Sequence, residues 1–169
     1  MTRILLILAL TLLAGCTPSP RFVKQNSTPS EQHQTFSANM TTNAYLELGI
    51  ILERYLGRPY TGKYSRDSGL DCSGFTQAVF REYLHHDFPR TVADQYREGT
   101  DLRRGRLQFG DLVFFETEHG NVSHVGIYVD DDRFIHSSST DGVVITDMAD
   151  EYWGKRYVGA RRVIGGAER

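Results

Sequence analysis

The chain has 169 residues, 24% of them charged, and a formal net charge of −2 at pH 7. Its basic residues are scattered rather than clustered, which excludes an electrostatic surface for nucleic acid. The sequence shows no internal repeat and no apolar run of the roughly 20 residues needed to cross a bilayer. One folded domain is therefore the natural expectation.

The first residues have the layout of a secretory signal. Arg3 precedes a short apolar run at 4–13, and small residues follow it. Cys16 completes the sequence LAGC, which resembles the lipobox of bacterial lipoproteins, where the signal is removed and the cysteine receives lipid. We predict that residues 1–15 are a signal peptide and that Cys16 is lipidated; an ordinary signal with an incidental cysteine is the alternative. Thr17, in place of Asp, implies by the same resemblance the periplasmic face of the outer membrane.

The segment after the cysteine has a different composition. Residues 17–42 are rich in Ser, Thr, Pro, Gln and Asn and poor in apolar side chains. Such a segment cannot bury enough apolar surface to fold. We therefore predict a lipidated, flexible tether over residues 16–42 and one domain over residues 43–169.

Three helices are predicted in the first half of this domain. Apolar residues recur at helical spacing from Ala44 to Tyr55. A second helix is expected to begin at Cys72, because Asp71 stands in the N-cap position and an apolar stripe follows. A short third helix is predicted over residues 91–98.

The second half changes to a β-type pattern. Apolar and β-branched runs are separated by Gly, Asp and Asn, and they predict strands at 110–116, 124–130, 133–139, 143–148 and 156–164. The segment 149–155 is predicted to be a short helical turn. Helices followed by an antiparallel strand meander make an α+β fold.

Cys72 is predicted to lie in the first turn of the second helix. The backbone N–H groups and the positive end of the helix dipole at that place lower the pKa of a thiol and favour the thiolate. The position suits a nucleophile, with the N–H of Cys72 directed at a forming oxyanion. A buried structural cysteine is the alternative, and position alone leaves both readings open.

A thiolate nucleophile requires a base, and the chain has six histidines. Four lie in the predicted tether, at the end of the second helix or in a polar turn: His33, His85, His86 and His119. The other two, His124 and His136, lie in consecutive predicted strands. Each of these, taken alone, is also compatible with an ordinary polar residue on a half-exposed strand.

The turn between these strands decides whether the two histidines meet. A two-residue turn would pair Ile127 with His136 and place that histidine on the apolar face. A three-residue turn at 130–132 pairs Ile127 with Ile135, and the alternation of apolar residues favours this register. His124 and His136 are then diagonal neighbours on one face.

Cys72, His124 and His136 together also allow a zinc site. The sequence has no paired ligand spacing such as CxxC or HExxH, so this remains a minor alternative. We predict neither a metal nor a cofactor.

Six stretches of the sequence together resemble the NlpC-type papain-like cysteine peptidases of bacterial cell walls, and most closely their small Gram-negative lipoproteins. They follow the family order and cover nearly all of residues 56–163. They read PYTGKYSRDSGLDCSGFTQAVF, FPRTVADQY, GDLVFF, HVGIYV, RFIHSSSTDGVVITDM and YWGKRYVGARRV. The resemblance implies a papain-like fold in which N-terminal helices pack on an antiparallel sheet.

The resemblance also implies catalytic roles. Cys72 is expected to be the nucleophile, His124 the general base, and His136 the residue that orients His124. Tyr60 is expected to contribute its hydroxyl to the oxyanion hole, beside the N–H of Cys72.

Asp71 and Ser73 are expected, by the same resemblance, to line the substrate cleft. The loop after Tyr60 reads TGKYS where the family pattern has a glycine pair, and residues 67–69 read DSG in a variable stretch. Both departures border the expected cleft, so they leave the choice of substrate bond open.

The family substrate is the peptide stem of peptidoglycan, and the resemblance implies hydrolysis of an amide bond in it. The expected bond is the D-alanyl–diaminopimelate cross-link; the D-glutamyl–diaminopimelate bond within one stem is the alternative. A non-catalytic wall-binding lipoprotein is a further alternative, although it has no need of a nucleophile and a base. The predicted partners are stem peptides and the membrane that the lipid enters.

Overall fold

The computed structural model describes residues 29–62, 70–118 and 120–165. The predicted signal peptide, the predicted lipid attachment at Cys16 and the start of the predicted tether lie outside the described residues and stay predictions. Among the described helices, none combines the length and the apolar character needed to cross a membrane.

Helices in the described residues are α1 Pro29–Tyr55, α2 Cys72–Leu84, α3 Val92–Gln95 and α4 Glu151–Gly154. Helix α2 begins at the predicted residue, because the Asp71 carboxylate accepts the N–H of Gly74 and caps the first turn. Helix α3 is shorter than predicted, although Thr91 caps it as expected. Helix α4 confirms the predicted helical turn before the last strand.

Helix α1 begins earlier than predicted, at Pro29, so residues 29–42 of the predicted flexible tether are helical. Proline is favoured in the first helical position, because the N–H that it lacks has no helical partner there. Between Pro29 and Gly49 the sequence has no further proline and no glycine. Apolar spacing predicted only the half of the helix that contains the buried Leu48 and Ile51. The polar half carries no such signal.

The described residues contain one antiparallel sheet of six strands, in the order β1-β6-β2-β3-β4-β5. The strands are β1 Thr100–Leu102, β2 Leu112–Phe115, β3 His124–Asp130, β4 Arg133–Ser138, β5 Gly142–Asp147 and β6 Tyr157–Arg162. Strands β2 to β5 form the predicted meander, whereas β6 returns to pair with β2 on its other side. Strand β1 was not predicted, because three residues are too few for an alternating pattern. The predicted α+β class is confirmed.

The hairpin of β3 and β4 has the predicted register and a different turn. Ile127 pairs with Ile135 as predicted. Asp131 and Asp132 alone form the turn, and both have positive φ angles of 42° and 59°, as in a primed two-residue turn. A bulge in β3 ahead of Asp130 supplies the extra residue that this register needs. The predicted three-residue turn is therefore wrong.

Both faces of the sheet are covered. One face packs against α1 and α2, and the other packs against Trp153 of α4 and its neighbours. The first face contributes Leu112, Phe114, Val125, Ile127, Ile135 and Val143, and the second contributes Val113, Phe115, Phe134 and Ala160. Strand β2 is buried on both faces, which explains its uninterrupted apolar sequence LVFF.

An ion pair between a partly exposed guanidinium and a buried carboxylate holds β6 beside β2. Arg162 donates from Nε and Nη2 to the two carboxylate oxygens of Asp111, at 2.8 Å each. The carboxylate also accepts the Gln108 N–H at 2.7 Å. Two parallel hydrogen bonds between a guanidinium and a carboxylate fix the relative orientation of the two groups as well as the distance between them. The return of the last strand next to β2 is thereby specified.

We expect Gly126 of β3 to be required for the close approach of β3 and β4. A Cβ at this position would lie 2.6 Å from Phe134 Cδ2 and 2.8 Å from the Ile135 carbonyl oxygen. Gly126→Ala should therefore lower the free energy of unfolding, measured by urea denaturation, by about 1–3 kcal/mol. Gly105→Ala is the control, because among the described residues no neighbour lies within 4 Å of the added Cβ. Equal stability of the two variants would contradict this expectation.

Candidate active site

The start of α2 is anchored to the chain ahead of α3. Arg90 donates from Nη2 to Asp71 Oδ2 at 2.6 Å and from Nη1 to Ser73 Oγ at 2.8 Å. Asp71 Oδ1 accepts the Gly74 N–H at 2.7 Å. Cys72 therefore lies between two neighbours whose side chains are held in place.

Asp71 and Ser73, which were expected to line the substrate cleft, are engaged in this anchor. Ser73 is buried, with 5% of its surface exposed. Neither side chain is among those that surround the cleft. Their observed task is to support the first turn of α2, and contact with substrate stays a prediction.

The Cys72 thiol is held between α2 and the start of β3. Its Sγ donates to the Ser123 carbonyl oxygen at 3.9 Å. Burial raises the pKa of Cys72, and the Asp71 carboxylate adds to the rise, whereas backbone N–H groups, led by that of Val125, lower it only in part. The sequence-based expectation of a lowered pKa is therefore wrong. Loss of solvent outweighs the helix dipole, and the resting thiol is protonated.

Hydrogen bonds from backbone and hydroxyl groups attach segments beside the cleft to the sheet. Gly57 N–H donates to the Val143 carbonyl at 2.8 Å, and Val143 N–H donates to the Arg58 carbonyl at 2.9 Å. The Ser137 hydroxyl donates to the Leu70 carbonyl. These bonds hold Gly57, Arg58 and Leu70 beside strands β4 and β5.

The two histidines meet as the register predicted. His124 Nε2 lies 2.9 Å from His136 Nδ1, with the ring planes at 78°. His136 Nε2 lies 3.0 Å from Thr146 Oγ1. With Nε2 of His124 engaged by His136, Nδ1 is the ring nitrogen left for the thiol. Their catalytic roles stay predictions.

Aromatic rings enclose the histidine pair. The ring of Trp153 lies 4.9 Å from each imidazole, and Phe134 stacks on His136 at 4.6 Å. Burial, together with the neighbouring His136, lowers the pKa of His124 to about 3. Burial also lowers the pKa of His136 to about 4, although the charge of Asp141 acts in the opposite direction. Both imidazoles are therefore neutral at neutral pH.

Tyr60 stands on the rim of the same cleft as Cys72 and His124. Burial raises the pKa of the Tyr60 hydroxyl, and the charge that Cys72 carries when ionised, together with that of Asp71, raises it further. The hydroxyl therefore stays protonated and is available as a hydrogen-bond donor. Its contribution to an oxyanion hole stays a prediction.

The cleft has a volume of about 390 Å³. Apart from Tyr60, Cys72, His124 and His136, the residues around it are mostly hydroxyl-bearing or aromatic: Thr117, Glu118, Ser123, Ser137, Ser138, Ser139, Thr140, Tyr152 and Trp153. A neighbouring groove of about 400 Å³ shares Thr117 and Glu118 with the cleft and adds charges of both signs from Glu116, Lys155 and Arg156. A thiol, a neutral base and hydroxyl donors in one cleft can carry out acyl transfer.

Within residues 29–62, 70–118 and 120–165, no group of three His, Cys, Asp or Glu side chains is placed to hold a metal ion. The alternative of a zinc site from Cys72, His124 and His136 therefore has no structural support. The facing nitrogens of the two histidines bond to each other instead.

Sequence reasoning missed Arg90, Thr146 and Trp153. Arg90 and Thr146 belong to residue types that are common on protein surfaces, and only the tertiary contacts reveal their tasks. Trp153 is the sole tryptophan of the sequence. Because it is the sole tryptophan, Trp153 could have been singled out as a candidate functional residue. The predicted helical turn around it did not indicate which residues it contacts.

We expect Trp153 to keep water from the histidine pair. Trp153→Leu should raise the pKa of His124 and of His136 toward the ordinary value of about 6.5, because solvent then stabilises the charged imidazolium. An NMR titration of the ring carbon-bound protons measures both values. Trp153→Phe is the matched control, since it keeps an aromatic cover and should preserve the low pKa values. Unchanged titration in a folded Trp153→Leu protein would refute this role.

Known proteins share both the sequence and the fold. The murein DD-endopeptidase MepS/murein LD-carboxypeptidase of Escherichia coli K12 is 36% identical over 151 residues, which cover 87% of this chain and 79% of the relative. The probable endopeptidase NlpC of the same strain is 32% identical over 160 residues, which cover 94% and 97%. These similarities confirm the resemblance to the small NlpC-type proteins.

A solved structure gives the same result. The NLP/P60-family protein of Staphylococcus aureus Mu50, described as similar to lipoprotein, has a TM-score of 0.64 at 33% identity. The match covers 73% of this chain and 42% of that structure, so this chain spans less than half of it. The NlpC/P60 family matches residues 57–162. Because that match takes in more than half of the sequence, the chain belongs to the NlpC/P60 family.

Proposed function

We propose that this protein is a peptidoglycan endopeptidase that hydrolyses an amide bond of the stem peptides, with Cys72 as nucleophile. The observation that carries the proposal is the meeting of Cys72, His124 and His136 at one cleft, although they are far apart in the sequence. Membership of the NlpC/P60 family and the name of the relative MepS, a murein DD-endopeptidase, support peptidoglycan as the substrate.

The reaction begins from neutral groups. The raised pKa of Cys72 and the lowered pKa of His124 oppose an ion pair in the free protein. Proton transfer from Sγ to His124 Nδ1 therefore occurs together with attack of the sulfur on the carbonyl carbon. Negative charge develops on the carbonyl oxygen in the same step. His136 orients the His124 ring through their hydrogen bond.

The oxyanion is received by the backbone N–H of Cys72 and the hydroxyl of Tyr60. Each donor contributes about 3 kcal/mol to transition-state stabilisation if it behaves like a donor in other oxyanion holes. His124 then gives its proton to the leaving amine, and an acyl-enzyme thioester forms on Cys72. Water, deprotonated by His124, hydrolyses the thioester and restores the thiol.

The proposed bond is the D-alanyl–diaminopimelate cross-link. A cross-link joins two stems, so the enzyme must accommodate peptide on both sides of the scissile bond. The groove beside the cleft supplies this room, and its carboxylates and cations complement the ammonium and carboxylate groups of diaminopimelate. The D-glutamyl–diaminopimelate bond within one stem is the alternative outcome of the test below.

We further propose that Cys16 carries lipid and places the enzyme on the periplasmic face of the outer membrane. The sequence LAGC and the Thr17 that follows it support this anchor. A stem-peptide hydrolase requires a location from which peptidoglycan can be reached, which agrees with such a site.

Replacement of the nucleophile tests the proposed reaction. Cys72→Ala should lower hydrolysis of diaminopimelate-type sacculi by at least about a thousandfold, because no other group supplies the thiol. Cys16→Ser is the matched control, since it removes the other cysteine and should leave hydrolysis intact. Both proteins are incubated with sacculi under reducing conditions, and the released muropeptides are identified by mass.

The products distinguish the bonds. Cleavage of the cross-link converts dimers into monomers with intact stems, whereas cleavage within a stem shortens it. Binding to sacculi without products from the parent protein would reject the hydrolase and favour the wall-binding lipoprotein.

The anchor has its own test. Cys16→Ser should release the protein from the outer-membrane fraction of cells into the soluble periplasmic fraction, because the acyl chains are absent. Fractionation followed by immunoblotting measures the distribution, and labelling with radioactive palmitate should mark the parent protein alone. A parent protein without label would show that Cys16 is not acylated.

A further inference from the structure

We propose that Thr146 is a positioning residue of the active site, which accepts the Nε2–H of His136 and so keeps Nδ1 of His124 free for the thiol proton. Its effect on the reaction rate rests on the proposed function. The hydrogen bond itself is a property of the folded protein.

The register of β4 and β5 brings Thr146 to His136. Thr146 pairs with Phe134, and His136 pairs with Val144. Because side chains alternate along a strand, Thr146 and His136 are diagonal neighbours on one face of the sheet. The distance from Thr146 Oγ1 to His136 Nε2 is 3.0 Å. Thr146 does not line the cleft, so it influences the substrate only through His136.

A neutral imidazole has one N–H and one lone pair, so one contact of His136 determines the other. When His136 donates Nε2–H to Thr146, its Nδ1 accepts the Nε2–H of His124. The unprotonated nitrogen of His124 is then Nδ1. In the reverse tautomer His136 donates from Nδ1, and the His124 proton moves to the nitrogen that must receive the thiol proton.

Once His124 is protonated on both nitrogens, only the arrangement with the His136 proton on Nε2 is possible. After His124 has taken the thiol proton, both of its ring nitrogens carry hydrogen. Its Nε2–H then needs an acceptor, and His136 Nδ1 can accept only when the His136 proton is on Nε2. That N–H belongs to a side chain with 2% exposure, where a donor without an acceptor is costly. Thr146 supplies this acceptor.

No carboxylate of the described residues forms this hydrogen bond. Asp141 acts on His136 through its charge, but its carboxylate accepts from Ser138 at 3.1 Å and from Thr140 at 2.6 Å. A hydroxyl is neutral, so it holds the His136 proton without stabilising a second imidazolium beside His124. Thr146 thus orients the pair and leaves His124 as the group that takes the proton.

Three variants test the role of the hydroxyl. Thr146→Val keeps the shape and removes the acceptor, Thr146→Ser keeps the acceptor, and Thr100→Val makes the same change on exposed β1 at the opposite edge of the sheet. With a soluble cross-linked muropeptide dimer, Thr146→Val should lower kcat about fivefold with KM nearly unchanged. Thr146→Ser should restore kcat, and Thr100→Val should not alter it.

The tautomers are measured separately by NMR. Two-bond proton–nitrogen correlations of the imidazoles should show His136 protonated on Nε2 in the parent and in Thr146→Ser, and shifted toward Nδ1 protonation in Thr146→Val. This readout needs no substrate, so it decides on the hydrogen bond even if the proposed function fails.

Three results would overturn the proposed role of Thr146. These are a parental kcat in Thr146→Val, a loss of kcat that Thr146→Ser does not restore, and an unchanged His136 tautomer in Thr146→Val. The last would assign any loss of rate to packing rather than to the acceptor.

Discussion

The register between β3 and β4 is the constraint on which the active site depends. A shift by one residue would turn His136 toward the helices, into the layer of Ile127 and Ile135, and would separate it from His124. A two-residue turn with a bulge ahead of it sets this register. The turn chemistry of a solvent-exposed loop therefore determines whether the two imidazoles touch at the far end of the hairpin.

Enclosure determines the charge states of Cys72, His124 and His136. The rings of Trp153 and Phe134 cover His124 and His136. Helix α2 and the start of β3 partly bury Cys72. A dry site disfavours every isolated charge, so thiol and imidazole rest in their neutral forms. In the proposed mechanism the same dryness strengthens the hydrogen bonds that receive the oxyanion, because a low dielectric screens them less.

Much of the site could be predicted from the sequence. The N-cap Asp71 and the alternation of apolar residues located Cys72, His124 and His136, and the resemblance added Tyr60. The start of α1 and the existence of β1 could not be predicted, because neither has an apolar pattern. The contacts of Arg90, Thr146 and Trp153 depend on residues distant in the chain. The direction of the Cys72 pKa shift also escaped prediction, because helix position indicates the dipole and only the packed structure gives the burial.

The protonated thiol of Cys72 is also chemically durable. Peroxides and disulfides react with the thiolate, and their reaction with a protonated thiol is slow. The raised pKa and the burial of Cys72 keep its thiolate population small, and the described residues contain no second cysteine with which it could form a disulfide. In the proposed mechanism the same protonated state that defers ionisation to the moment of attack also protects the free Cys72 thiol against oxidation, which suits the proposed periplasmic location.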